Sequence, residues 1–216
     1  MALLASGCAS SARPAVEPVN TAELVVASDV AADSLLMDVQ AAAPRIRVGL
    51  RYATADNFMG APLPGYEGNH AYLRREAAAA LARAQRRAEA DGLGLYVFDA
   101  YRPVRATEAM VDWTQRTGRT DLLRDGYIAS RSRHNLGLAI DLTLVDLRTG
   151  RPLEMGTPFD TFSSAAHTVN ATGPTLTNRR HLQRVMESEG FVNYDQEWWH
   201  YSYTLSDPVR FDRIIR

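Results

Sequence analysis

SRSRHNLGLAIDLTLV, residues 130–145, reads as a strand with chemistry at its entrance. From Leu138 the pattern has a period of two. Leu138, Ile140, Leu142 and Leu144 face one way, and Ala139, Asp141, Thr143 and Val145 face the other. A carboxylate in the middle of so apolar a strand is costly to bury unless a positive group meets it. His134 stands seven residues upstream of Asp141, across Gly137, which lets the chain bend tightly. An imidazole and a carboxylate converging at a strand entrance supply two of the ligands of a zinc site.

Outward from this strand, the rest of the chain reads as a frame for it. RIRVGLRYA (45–53) alternates as a half-buried strand, and the Gly/Pro-rich 54–68 is an irregular loop. His70 to Asp91 has a helical stripe of Leu73, Ala77, Ala80, Leu81, Ala84 and Ala88, capped by Gly92. So alanine-rich a stripe calls for close packing, flat on a sheet. LGLYVFDAYRP (93–103) is a strand ending in a turn, and Pro103 opens a helix over 104–117. Residues 28–43 form a short helix or turn, and 154–168 a polar loop. Thr177 or Asn178 caps a helix running to Glu189, and FVNY (191–194) and WWHYSYTL (198–205) are strands joined by a short turn. That link is too short for a parallel crossover. The expected fold class is α+β, with a mainly antiparallel central sheet, helices packed on it and a zinc site at the mouth of the sheet.

Composition narrows the function. The 216 residues are 46% hydrophobic, enough for one domain with a sizeable core. A net charge of -1, a pI near 6.5 and no basic run argue against a nucleic-acid partner. The body carries neither an internal repeat nor an apolar span long enough for a transmembrane helix. A lone cysteine forms no internal disulfide and supplies no CxxC zinc site. That residue, Cys8, follows a short apolar, uncharged run and leads into a Ser/Ala/Pro-rich tether, resembling the end of a bacterial lipoprotein signal. Residues 1–27 are thus expected to be a signal-like segment and disordered tether, with Cys8 as a lipid anchor, and 28–216 a single domain. The corresponding location is the periplasm or cell envelope, with the cytoplasm as the alternative.

Only five histidines exist, so a third ligand is quickly sought. His70 and His181 read as surface residues, and His167, in a Ser/Ala loop, can line a cleft. His200 sits in EWWHYSY on a strand face shared with Trp198, Ser202 and Thr204. Alone it would be a half-buried histidine bonded to a neighbour. Together with His134 and Asp141 it completes an N, O, N set with a fourth position open to water. Glu197, three residues before His200, is placed to act as general base and then to pass the proton to the leaving amine. Arg102, at the end of a neighbouring strand, would hold a developing oxyanion; alone it would be a surface salt bridge.

Ser132-x-His134-x-x-Gly137-x-Ala139-x-Asp141, followed by Glu197-Trp198-Trp199-His200, resembles the zinc signature of the D-alanyl-D-alanine dipeptidases of VanX type. RYATADNFMG (51–60), GYEGN (65–69), DAYRP (99–103), MGTPFD (155–160) and NRR (178–180) extend the resemblance over about 45–203. It implies one Zn²⁺ per chain on His134, Asp141 and His200, with Glu197 as acid/base and Arg102 as the transition-state arginine. It further implies that Asp160 and Tyr52 meet the ammonium of a small dipeptide, that Ser132 and the Tyr127 backbone meet its carboxylate, and that Asp99 orients Arg102. Gripping both charged ends in a closed pocket would set the substrate length. Ala100 and Met59 stand where the family favours glycine and threonine, and the link between Trp113 and Gly126 is short, which leans toward peptide recycling over glycopeptide resistance. The alternatives are a zinc D,D-carboxypeptidase or endopeptidase acting on peptidoglycan stems, which needs an open groove on the amino side, and a non-catalytic zinc-binding module.

Overall fold

The computed structural model describes residues 24–216. Cys8 and the tether around it lie outside the described residues. The central sheet has five strands in the order β3 (Arg47–Val48), β5 (Leu93–Asp99), β6 (Ala139–Asp146), β8 (His200–Ser202) and β7 (Val192–Asn193). β3 runs parallel to β5, and the other pairings are antiparallel. The sheet is therefore mixed but mainly antiparallel, inside the expected α+β class. β6, the strand from which the sequence was read, is its centre, and every residue from Ala139 to Val145 is buried.

Helix α3 (Arg75–Ala90) lies on β5 and against α6 (Gly173–Glu187). Its buried face is Ala77, Ala78, Ala80, Leu81, Ala82, Ala84, Gln85 and Ala88. Small side chains let the helix approach the sheet, and Gln85 Oε1 accepts from Leu95 N at 2.9 Å, bonding helix to strand directly. Helix α4 (Val104–Arg116) follows Pro103, which sits at its N-cap, where a missing N–H costs nothing.

Several expected boundaries move, three of them where a tertiary partner outweighs a local pattern. Residues 45–53 are a strand only at Arg47–Val48; the chain leaves the sheet at Gly49, where any side chain would collide with the Tyr96 ring. It then turns into a 3-10 segment, Arg51–Ala53, that buries Tyr52. The helix expected from His70 begins at Arg75, because Tyr72–Arg74 is strand β4, paired with β2 (Leu36–Asp38) between α1 (Asp29–Leu35) and α2 (Val39–Ala42). The helix expected from Thr177 or Asn178 begins at Gly173 with Pro174 in its first turn. The domain also begins before residue 28: β1 (Val26–Ala27) pairs in parallel with β9 (Arg210–Phe211). A four-residue helix, α5 (Asp121–Arg124), lies in the short link after α4 and was not expected.

Gly137 ends the 3-10 turn that carries His134, with φ 63 in the left-handed region. A Cβ there would meet Leu36 Cδ2 at 2.6 Å and Arg74 N at 3.2 Å. Gly137→Ala is expected to destabilise the fold by about 1–3 kcal/mol from backbone strain alone, more if Leu36 cannot move. Denaturant midpoints at unchanged m-value measure this, and an unaltered midpoint would show that the turn relaxes freely.

Candidate active site

The sheet register assembles the site. Asp141 on β6 lies opposite His200 on β8 and opposite Asp99 on β5. His134 arrives from the 3-10 turn Arg133–Leu136, whose N-cap is Ser132, with Oγ accepting from His134 N at 3.2 Å. His134 Nε2 is 3.2 Å from His200 Nδ1 and 3.5 Å from Asp141 Oδ2, and His200 Nδ1 is 2.9 Å from Asp141 Oδ1. All three candidate ligand atoms lie within 4.8 Å of one another.

This donor set fits a small divalent cation. His134 Nδ1 donates to the Ala100 carbonyl at 2.6 Å, which fixes the tautomer and leaves the Nε2 lone pair facing the cluster. Burial lowers the pKa of His200, favouring the neutral imidazole that ligates metal. Two imidazole nitrogens and a carboxylate therefore converge. A tetrahedral zinc with bonds of about 2.0–2.1 Å has ligand–ligand edges of roughly 3.3–3.4 Å, close to the spacings found. Burial opposes charge on Asp141, but the His134 and His200 imidazoles outweigh it and hold the carboxyl well below its ordinary range.

Around the cluster stand the other expected groups. Glu197 Oε2 is 3.8 Å from His200 Nδ1, in a buried turn before β8. Burial, then the charges of Asp141 and Asp160, raise its pKa well above that of an ordinary glutamate. Arg102 Nη2 is 3.9 Å from Asp141 Oδ2. Its Nε and Nη2 donate to Asp99 Oδ2 at 3.0 and 2.8 Å, and its guanidinium lies 4.9 Å from the Tyr52 ring centroid. Asp99 sits behind Arg102, away from the cavity wall, as an orienting group must.

Asp160 faces the cluster from a loop. Its carboxylate accepts from Tyr52 Oη at 3.0 and 3.2 Å, and burial, then the charge of Asp141, raises its pKa well above the ordinary carboxylate range. At φ 58 it is the non-glycine residue in the left-handed region among those described, a strain typical of functional positions. Ala100, where the family favours glycine, carries no such strain.

Tyr52, Arg102, Tyr127, Ser132, Asp160 and Glu197 line one cavity of about 260 Å³ with the His134/Asp141/His200 cluster. That is below the roughly 300–1,000 Å³ of ordinary small-molecule clefts. A larger cavity of about 670 Å³ lies behind the Asp160 loop, but none of the cluster, Glu197 or Arg102 lines it. The chemistry belongs to the smaller space.

Four further residues support the site. Tyr66 Oη donates to Asp99 Oδ1 at 2.6 Å, completing the support of Arg102. Asn135 Nδ2 donates to the Arg102 carbonyl at 2.9 Å and to Thr107 Oγ1 at 2.9 Å, locking the two motif turns together. His167 Nε2 meets Tyr127 Oη at 3.1 Å, and Asn193 Nδ2 donates to the Glu197 and His200 carbonyls at 3.0 Å each. Tyr66 and Asn135 lie inside the motifs quoted above, His167 is the loop histidine expected at a cleft, and Asn193 carries no sequence signal beyond its polarity.

The family model described as D-Ala-D-Ala dipeptidase, Peptidase_M15, matches residues 32–211. A D-alanyl-D-alanine dipeptidase of Streptomyces coelicolor is 40% identical over 172 residues, covering 73% of this chain and 85% of that one. One from Enterococcus faecium is 39% identical over 172 residues, covering 72% and 85%. One from Escherichia coli is 36% identical over 168 residues, covering 77% and 83%. The motifs that build the cluster, Glu197 and Arg102 all fall within the matched span, and the chain belongs to the M15 D-Ala-D-Ala dipeptidase family of peptidases.

Proposed function

We propose that this protein hydrolyses the free dipeptide D-alanyl-D-alanine to two D-alanines, using one zinc ion held by His134, Asp141 and His200. The observation that carries this reading is the single small cavity in which the His/Asp/His cluster, Glu197, Arg102 and Asp160 converge. Zinc bound there supplies Lewis acidity toward the scissile carbonyl and acidifies water at the same point.

The chain's own groups do the rest. Glu197, whose carboxyl burial and acidic neighbours push above the usual glutamate range, takes a proton from the attacking water in its ionised form and returns it to the leaving amine. Arg102, fixed by Asp99 and Tyr66, presents positive charge where the carbonyl oxygen becomes anionic, and costs no reorganisation at that moment. Asp160 and Tyr52 receive the substrate ammonium. Ser132 Oγ accepts from His134 N, so its own hydroxyl proton is available to the substrate carboxylate, beside the Tyr127 backbone. A chain extended on its amino side would bury Asp160 without a cation, a penalty of roughly 1–3 kcal/mol or more. The half-buried Asp160 wall thus favours a dipeptidase over the open groove that a stem-peptide carboxypeptidase needs, and the presence of both Glu197 and Arg102 favours an enzyme over a bare zinc module. Export to the cell envelope, with lipidation at Cys8, is part of the proposal; it would bring the enzyme to peptides released from the wall, and mass analysis of the mature N-terminus tests it.

The purified protein is expected to cleave D-Ala-D-Ala, to lose activity on chelation and to regain it with zinc, leaving L-Ala-L-Ala intact; chelator-resistant cleavage would refute the metal role. Glu197→Gln is expected to retain one zinc per chain while kcat falls about 10²–10⁴-fold, and wild-type turnover by that variant would remove Glu197 from the chemistry. Both Glu197 and Asp160 must be ionised in the free enzyme, and both are pushed toward the protonated form. The kcat/KM profile should therefore fall as pH drops, with its midpoint above the ordinary carboxylate range. A profile flat down to that range would contradict these assignments.

A further inference from the structure

The NRR segment has no part in the chemistry above, yet Arg179 is among the largest fully buried side chains, 1% exposed. Its guanidinium has no carboxylate partner among the described residues. Instead it donates to three backbone carbonyls: Nε to Met155 at 2.7 Å, Nη1 to His167 at 2.7 Å and Nη2 to Ala165 at 3.0 Å. A buried cation answered only by carbonyl dipoles is an expensive way to join two loops. A core leucine or methionine would fill the space at less cost.

The Asp160 loop lines the active-site cavity through Asp160 and Phe162, and the Ala165–His167 turn backs lining residues without lining it itself. Met155 lies five residues before Asp160 in the same irregular segment. Ala165 and His167 flank Ala166, whose carbonyl accepts from Trp198 N at 3.1 Å, next to Glu197. His167 also meets Tyr127 Oη at 3.1 Å on the cavity rim. The Asp160 loop lies directly on α6 at Gly156, φ 83, where a Cβ would meet Thr175 Cγ2 at 2.6 Å and Arg179 Nη2 at 3.3 Å. Asn178, the preceding residue of the helix, donates to the Glu154 carbonyl at 2.9 Å and adds a second tie to that loop.

We propose that Arg179 is a positioning residue: its planar fork holds the Asp160 loop and the Ala165–His167 turn in one frame, and so sets the amino-side wall of the substrate cavity. The wall's purpose rests on the dipeptidase reading above; the frame itself does not. Lysine has three donors but no rigid fork, and cannot hold three carbonyls arranged around a guanidinium plane. Displacing a substrate-gripping group by about 1 Å costs on the order of a hundredfold in rate terms.

The test uses the zinc-loaded full chain, wild type beside Arg179→Lys and Gly156→Ala, the latter moving the loop off α6 with the arginine intact. KM for D-Ala-D-Ala is expected to rise ten- to a hundredfold in both variants, with a smaller change in kcat and zinc content still at one per chain. KM is insensitive to a reduced folded fraction, so a purely structural role would lower apparent kcat and leave KM in place. In parallel, amide hydrogen exchange should accelerate across 153–168 while β5 and β6 keep wild-type protection. A KM within twofold of wild type in both variants, or unchanged exchange in those loops, overturns the proposal. If Arg179→Lys does not fold, Gly156→Ala decides. A wild-type protein that leaves D-Ala-D-Ala intact would sink the dipeptidase reading alone, and the exchange measurement would still judge the frame.

Discussion

One carboxylate at the centre of an apolar strand constrains everything around it. Asp141 is 3% exposed, with leucine and isoleucine on either side of it in β6. Two imidazoles and a guanidinium stand within 4 Å of it, the polar company that a buried carboxylate needs. Each of those groups then needs support of its own. His134 is turned by the Ala100 carbonyl, His200 is fixed by strand register, and Arg102 is clamped by Asp99, which Tyr66 bonds in turn. Asp99, Asp141, Asp160 and Glu197 crowd about Arg102, and this excess of negative charge suits a divalent cation and a substrate ammonium together.

Much of this was legible because it is local or periodic. The alternation in 138–145 placed Asp141 on the face opposite the leucines, and the alanine stripe of α3 announced a helix flat on a sheet. His134, Asp141, His200, Glu197 and Arg102 stood out as chemically awkward residues in ordered surroundings, and they do converge. What escaped was set by distant partners. Tyr72–Arg74 reads as the start of a helix until β2 arrives to pair with it. The alternating 45–53 segment stays in the sheet for two residues only, because Gly49 gives way to the Tyr96 ring. Val26–Ala27 looked like tether because its partner, Arg210–Phe211, lies at the other end of the chain. Arg179 works through backbone carbonyls, and Asn193 through two carbonyls and the Thr168 hydroxyl, partners that leave no trace in local sequence.

Strand and loop divide the labour. The sheet carries two of the three candidate ligands, Asp141 and His200, at fixed register, and the 3-10 turn ahead of β6 adds His134. The irregular segments carry the groups proposed to meet the substrate: Tyr52 from a 3-10 turn, Asp160 at a strained φ, Tyr127 and Ser132 ahead of β6. Loops place such groups well only when fastened, and here the fastening comes from buried polar side chains that reach across: Asn135, Asn193 and Arg179. Loss of such a tie displaces the group it holds, and a shift of about 1 Å is costly in rate.

The closed amino side of the cavity is the claim on which the functional account turns. The most direct measurement is kcat/KM of the wild-type enzyme for D-Ala-D-Ala against its N-acetylated form at neutral pH. With the ammonium removed, Asp160 is covered by the acetyl group without a cation to meet it, and the account predicts a preference for the free dipeptide on the order of a hundredfold or more. Equal rates, or faster cleavage of the acetylated substrate, would mean that the amino side is open and that the protein trims longer peptides.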